Sequence, residues 1–420
     1  MEPGNILQAD TVIVGTGVSG LFAALNLPQT QKIIMITKAD LESSDSFLAQ
    51  GGICVQRDDM DYDSFFEDTM HAGHYENRKE SVDIMIRSSR DIIHSLIAYG
   101  VDFEKVNGEL QYTREGAHHK NRILFHKDET GKEITSKLLA AAKGCDNIRM
   151  MEYTTMTDLL CDNGMCRGIA AKAKDGEMLE ILADHIILAT GGIGGNYTHS
   201  TNFPHLTGDS IALAKRYGIR LEHLDYVQIH PTTLFSRKPG RRFLISESVR
   251  GEGALLYDAR MQRFTDELQP RDVVTKAILE QMKKDGTEHV WLDMRPIPKE
   301  VIYHHFPHIA EHCLEEGYDV TKECIPVVPA QHYFMGGIYV DSNSETTMKG
   351  VYAVGETSCN GVHGRNRLAS NSLLESLVFA KRAACHIAGK SEKQAAGEVK
   401  KQTTQKGLKN RLYGERKIEQ

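Results

Sequence analysis

Six residues near the start of the chain, Gly15-Thr16-Gly17-Val18-Ser19-Gly20, have types and spacing suited to holding a pyrophosphate. In such a GxGxxG turn the first glycine permits the tight bend. The second admits the phosphates close to the backbone, and the third lets a following helix meet the strand. The helix N-terminus adds free N–H groups and the positive end of its dipole. Alone the pattern also fits glycine turns of unrelated folds, so its context decides. Thr11–Val14 is β-branched and apolar and reads as a buried strand; Leu21–Leu27 reads as a helix and Lys32–Thr37 as a second strand. The motif therefore sits where a dinucleotide site needs it. The second strand ends on Thr37-Lys38, not on the acid that holds the ribose of a nicotinamide nucleotide. That argues against a plain nicotinamide dehydrogenase. Asp40 and Glu42 are nearby acids that could substitute.

Three distant segments point to FAD. Val351-Tyr352-Ala353-Val354-Gly355-Glu356 is similar to a second flavin motif, in which the acid holds the ribityl chain. Ala189-Thr190-Gly191-Gly192 resembles the strand-to-loop crossing of two-motif flavoproteins. Ala49-Gln50-Gly51-Gly52 would lay bare backbone against the isoalloxazine ring.

The elements that must position these segments follow from periodicity. Ser81–Tyr99 is amphipathic and predicts a helix closed by Gly100, and Ile134–Lys143 predicts another. Ile148–Leu182 reads as strands with turns at Asp162-Asn163-Gly164 and Lys174-Asp175-Gly176. His185–Ala189 is a strand, Ser210–Tyr217 a helix ended by Gly218, and Asn371–Ile387 a long helix. From about Leu221 to Pro329 the pattern turns polar and richer in His and Arg, as expected of a second unit inserted into the first. The expected fold class is α/β: a Rossmann-like FAD-binding domain over residues 1–220 and 331–390, with an inserted α+β capping domain over 221–330. Residues 391–420 form a polar, Lys-rich C-terminal tail.

A length of 420 residues suits about two domains, and 40% hydrophobic with 25% charged residues is ordinary for a folded protein. A net charge of −7 offers no global field for nucleic acid or an anionic membrane. No apolar run reaches the roughly 20 residues of a membrane span, and Met1–Asp10 lacks the pattern of an export signal. A cytoplasmic protein is expected. The eight cysteines, Cys54, Cys145, Cys161, Cys166, Cys313, Cys324, Cys359 and Cys385, contain no CxxC pair and read as reduced thiols. They offer no iron–sulfur or metal ligand set.

A family resemblance rests on a longer ordered set: Ala49-Gln50-Gly51-Gly52, Gln228-Ile229-His230-Pro231-Thr232, Ser246-Glu247-Ser248-Val249-Arg250-Gly251-Glu252-Gly253, Pro270-Arg271-Asp272, His332-Tyr333-Phe334-Met335-Gly336-Gly337 and Arg367-Leu368-Ala369-Ser370-Asn371-Ser372-Leu373-Leu374-Glu375. With these, the chain from about Asp10 to Ile387 resembles the flavoprotein superfamily of succinate dehydrogenase, fumarate reductase and L-aspartate oxidase. Three features are similar to the L-aspartate oxidase branch. Thr113-Arg114-Glu115-Gly116-Ala117-His118-His119 looks like its loop. Asp45 stands four residues before Ala49, where the respiratory enzymes carry a histidine bonded covalently to FAD, so noncovalent FAD is implied. His363-Gly364-Arg365-Asn366-Arg367 resembles its His-Gly-Ala-Asn-Arg, with Arg365 in place of alanine. Members of that branch commonly continue into a C-terminal helical bundle, whereas this sequence ends at Gln420.

The resemblance implies oxidation of L-aspartate to iminoaspartate with oxygen or fumarate as acceptor, at the entry to quinolinate and NAD synthesis. Quinolinate synthase would then be a functional partner. His230, His332 and Arg367 would clamp the dicarboxylate, with Ser246 and Glu247 at the edge of the capping domain. A planar guanidinium grips a carboxylate with two donors, and imidazole offers one directed N–H. A lone histidine is more often structural, and His304-His305 keep that reading. Arg271 would move the substrate proton beside Asp272 and Glu247; outside the resemblance it reads as a salt bridge locking an interface. Glu115 would face the amino group. Cofactor contacts are implied for Gly15, Thr16, Gly17, Val18, Ser19, Gly20, Lys38, Asp45, Ser46, Ala49, Gln50, Gly51, Gly52, Asp209, Glu356, Ser372 and Leu373. Two alternatives stand beside this reading: a soluble fumarate reductase or succinate-oxidising flavoprotein, and a flavin-binding protein without catalysis.

Overall fold

Strands Thr11–Val14, Ile33–Ile36, His185–Leu188 and Val351–Ala353 are short and almost wholly buried, which demands cover on both faces. A computed structural model describes residues 5–162 and 164–389, and supplies that cover. With Ile148–Met151 these strands form a five-stranded parallel sheet in the order Val351–Ala353, His185–Leu188, Thr11–Val14, Ile33–Ile36, Ile148–Met151. Alternate side chains go to opposite faces, as the period of two requires. Ile13, Met35, Ile187 and Tyr352 meet helices Val18–Asn26, Lys79–Ala98, Thr130–Lys143 and Asn371–Ile387. Val12, Val14, Ile34, Ile36, Ile186 and Leu188 face the other way, onto Leu159, Ile169 and Ile181. Those three belong to a second sheet, ordered Asn5–Gln8, Met178–Leu182, Met165–Lys172, Thr155–Asp162.

The predicted elements of this part form within a few residues of expectation. Helix Lys79–Ala98 does stop before Gly100, whose φ of +88° suits a residue without Cβ. Helix Tyr62–Ala72 was not foreseen. The predicted tail, 391–420, lies outside the described residues.

Between residues 227 and 334 a third core forms. Val227–Leu234, Ile325–Phe334, Val290–Asp293 and Leu255–Tyr257 make an antiparallel sheet, in that order. Its first and last strands in the chain pair with each other, so the excursion leaves and returns at one place. Helix Arg271–Asp285 packs Val274 and Ile278 against this sheet, with Ile302 and Ile309 from two further helices. The sequence predicts a polar, mixed region here and no helix. The reason is visible: the helix buries Arg271, Val274, Thr275, Ile278 and Gln281 but exposes Val273 and Leu279, so its apolar residues mark no single face, while the strand buries His230, Thr232 and Thr233. Among the described residues no helix is long and apolar enough to cross a membrane. None of their His, Cys, Asp and Glu side chains group as a metal site.

Candidate active site

The glycine turn follows strand Thr11–Val14 and opens helix Val18–Asn26. Gly15 holds φ +116°, and a Cβ there would lie 2.1 Å from the Ala189 carbonyl oxygen. At Gly20 a Cβ would lie 2.2 Å from the Gly15 oxygen, so this glycine serves the helix–strand contact and stays out of the cavity. Gly15, Thr16, Gly17, Val18 and Ser19 do line the cavity. So do Ser46, Ala49, Gln50, Gly51, Gly52, Ser372 and Leu373. Ser46 Oγ accepts the Val18 N–H at 3.0 Å.

At one end Lys38 pairs with Asp209 at 2.6 Å and donates to the His205 carbonyl at 2.7 Å; both Lys38 and Asp209 line the cavity. The acids suggested as substitutes do not. Asp40 accepts the Glu42 and Ser43 N–H groups and the Ser43 hydroxyl, which folds its own loop, and neither Asp40 nor Glu42 reaches the cavity.

Asp45 and Glu356 face the cavity farther along. Glu356 accepts the Phe334 N–H at 2.9 Å and Asp45 the Phe203 N–H at 3.0 Å. Burial pushes Glu356 up to about 8 and Asp45 up to about 7. Protonated carboxyls can donate to sugar-type hydroxyls as well as accept from them. Ser44 Oγ, Asp45 Oδ2 and Gln50 Oε1 are buried without a partner on the cavity wall. Bare glycines at one end, orphaned polar atoms along the wall and helix N-termini aimed inward fit FAD.

Beyond the Ala49–Gly52 loop the charged set gathers. His230 is fully buried on strand Val227–Leu234 and its Nδ1 accepts the Thr232 N–H at 3.1 Å. The same Nδ1 lies 3.0 Å from the Thr232 carbonyl oxygen, and Nε2 has no partner in the protein. His332 Nδ1 lies 2.7 Å from Thr201 Oγ, and its ring centroid is 5.0 Å from that of His230. Burial and the Arg271 guanidinium hold both imidazoles well below their ordinary range, so both are neutral. Arg367 stacks over Tyr333 at 4.3 Å, donates to Ser372 Oγ at 2.8 Å and keeps a buried, unpartnered Nε. Burial and Arg271 lower it to about 10.

Arg271 opens helix Arg271–Asp285 and reaches Glu247 at 2.5 Å and Gln228 at 2.8 Å. Asp272 is not its partner. The next residue on a helix projects in another direction, and Asp272 pairs with His74 at 2.9 Å on the outer side. Glu247 begins a short helix capped by the Ser246 hydroxyl, which accepts the Ser248 N–H. Burial pushes Glu247 up, but Arg271 and Arg250 outweigh it and hold the carboxyl below its usual range. Glu115 is 2% exposed, and a Cβ on Gly51 would lie 2.7 Å from its Oε1. Burial and the Glu247 charge raise its pKa.

All of Glu115, His230, Ser246, Glu247, Arg271, His332 and Arg367 thus line one cavity with the flavin-type residues. Gln228, Arg250 and Ser370 were not singled out. Gln228 donates to Asn366 and to the Arg367 carbonyl while accepting from Arg271, and so ties the two arginines together. Arg250 is buried 3.4 Å from Glu247. Each stands inside a motif segment, but nothing in a residue type signals burial.

A family profile described as FAD binding domain matches residues 10–373. The chain is 52% identical over 380 residues to an L-aspartate oxidase of Clostridium perfringens, covering 90% of this chain and 86% of that protein. It is 48% identical over 383 residues to an L-aspartate oxidase of Clostridium acetobutylicum, covering 91% and 88%. Its structure is similar to an E. coli quinol fumarate reductase, with TM-score 0.86 and 30% identity over 96% of this chain and 74% of that one.

Proposed function

Since the chain belongs to the L-aspartate oxidase family of FAD-binding flavoproteins, we propose that this cavity oxidises L-aspartate to iminoaspartate. The observation that carries the reading is a buried carboxylate, Glu115, set beside a clamp of neutral histidines and arginines. The clamp suits two carboxylates, and Glu115 suits one ammonium.

FAD, when bound, supplies the two-electron acceptor for the hydride leaving Cα. Noncovalent attachment follows from Asp45, a carboxylate where an alkylated imidazole would be needed. His230 and His332 donate neutral N–H groups to the substrate carboxylates without adding charge of their own. Arg367 adds a guanidinium whose Nε is free inside the site. Glu115 takes the ammonium and its proton. When fumarate is the acceptor and is reduced in the same clamp, Arg271 delivers the proton to the carbon that does not take the hydride. An isolated arginine is a poor acid, with a pKa above about 12; contact with Glu247, itself against Arg250, makes a chain along which a proton can be replaced. Closure by the unit spanning residues 221–330 excludes water.

Oxygen or fumarate is the acceptor in this reading, and the iminoaspartate serves quinolinate and NAD synthesis in the cytoplasm, where quinolinate synthase is the functional partner. A fumarate reductase shares the clamp, but has no use for a buried carboxylate facing an amine.

Anaerobic mixing tests this. L-aspartate is expected to bleach the yellow flavin band, and succinate to leave it. Bleaching by succinate alone would overturn the assignment. Acid precipitation should release the chromophore; colour retained in the pellet would refute noncovalent binding.

A further inference from the structure

Glu115 is gripped at both oxygens. Ser248 Oγ donates to Oε1 at 2.5 Å, and Ser370 Oγ donates to Oε2 at 2.6 Å. An ionised carboxylate only accepts, so both hydroxyls must spend their single proton on it. Ser246 Oγ then donates to Ser248 Oγ at 3.1 Å, completing a directed chain Ser246, Ser248, Glu115. Ser370 also accepts the Gly52 N–H at 3.1 Å, so the same carboxylate is registered against the flavin-side loop.

We infer that Ser248 is a specificity-determining positioning residue: its hydroxyl holds Glu115 in the ionised, acceptor-only form that selects an amino-dicarboxylate over a plain diacid. This rests on the assignment of Glu115 to the ammonium. The need for such a device is electrostatic. Burial and Glu247 drive a proton onto Glu115, and the two serines and Arg271 oppose them. Arg250 and Cys54 also face Glu115, and His118 stands on its own loop. A protonated Glu115 would have no charge to offer an ammonium and would welcome succinate or fumarate. Hydrogen bonds to the charged form favour it, so loss of one raises the carboxyl further.

The test is Ser248→Ala beside Ser248→Thr, which keeps the hydroxyl, with FAD content checked for each. In dithionite-reduced holoenzyme L-aspartate binds without turnover, and calorimetry gives its Kd and that of succinate. Ser248→Ala should lower the aspartate-over-succinate preference about tenfold, the scale of one hydrogen bond to a charged group. Ser248→Thr should restore it. The acidic limb of kcat/KM for aspartate should move to higher pH in Ser248→Ala. Equal weakening of both ligands, or an unchanged preference and limb, overturns the inference. Glu115→Gln separates the two levels. If it keeps the preference for aspartate, the assignment of Glu115 itself fails. If it abolishes the preference while Ser248→Ala does not, only the role of Ser248 fails.

Discussion

Replacing Arg122 with Met tests how the loop carrying Glu115 is held. Arg122 is fully buried and pairs with two buried carboxylates, Asp61 at 3.0 Å and Asp68 at 2.5 Å. It also donates to Ser64 at 2.9 Å and meets His118 Nδ1 at 3.1 Å. His118 Nε2 in turn lies 3.0 Å from the Ala369 carbonyl, next to Ser370. Breaking a buried pair from one side costs about 3–5 kcal/mol, because the remaining charge stays buried. Here the low end, about 3 kcal/mol, is expected. Asp68 keeps the His119 N–H at 3.0 Å, and Asp61 keeps Lys120 at 3.9 Å. The pH dependence supplies the sharper check. Burial pushes Asp68 up, but the His119 N–H and Arg122 outweigh it, so its folded pKa is depressed. Such a group stabilises the wild type above its unfolded pKa, and that contribution fades as pH falls through the folded value. Without Arg122 much of that depression is lost, the His119 contacts alone opposing burial. The deficit of the variant should then be full near neutrality and shrink as pH falls toward about 4. Urea denaturation of both proteins across that range measures it. A deficit below about 1 kcal/mol, the ordinary scale of a surface pair, would falsify the claim that this network is an uncompensated-charge trap. A pH-independent deficit would show that lost packing, not charge, dominates.

Four further substitutions separate the remaining interactions. Gly15→Ala should yield protein without FAD, since its Cβ would lie 2.1 Å from the Ala189 oxygen at φ +116°; normal flavin content would contradict the close approach. Apo-protein should become more stable as pH falls from about 8 toward the unfolded glutamate value, because Glu356 binds its proton more tightly when folded. Glu356→Gln should flatten that slope in thermal melts, Asp45 leaving a smaller one below about 7. Glu247→Gln should cut turnover at least about a hundredfold, on the scale of about 3 kcal/mol for uncovering a buried arginine. Asp272→Asn should stay within about twofold, since loss of a half-exposed ion pair contributes under about 1 kcal/mol. Equal losses in a steady-state assay would return Asp272 to the mechanism.

The sequence alone determined the parts whose signal is local. Thr11–Val14 followed by Gly15, Gly17 and Gly20 specifies a strand, a phosphate turn and a helix, because the β-branched run, the glycine spacing and the helix that follows are all written within a few residues. Helices Lys79–Ala98 and Asn371–Ile387 were legible for the same reason, carrying their period and their stop signals with them. The motif residues of the site were legible as a set, though not their partners. Only the tertiary structure decided that Arg271 meets Glu247 and not its neighbour Asp272, and that Asp40 serves its own loop. It alone brought Ser248 and Ser370, 133 and 255 residues from Glu115, onto one carboxylate. The helix Arg271–Asp285 and the sheet beneath it were hidden for a related reason. Their buried faces carry Arg271, Gln281, His230 and Thr232, polar residues that mark no apolar face, and Arg271 is satisfied by Glu247 and Gln228 from other elements. Local pattern reports what a residue prefers near its neighbours; which charge faces which in the dry interior depends on chain crossings that no local pattern contains.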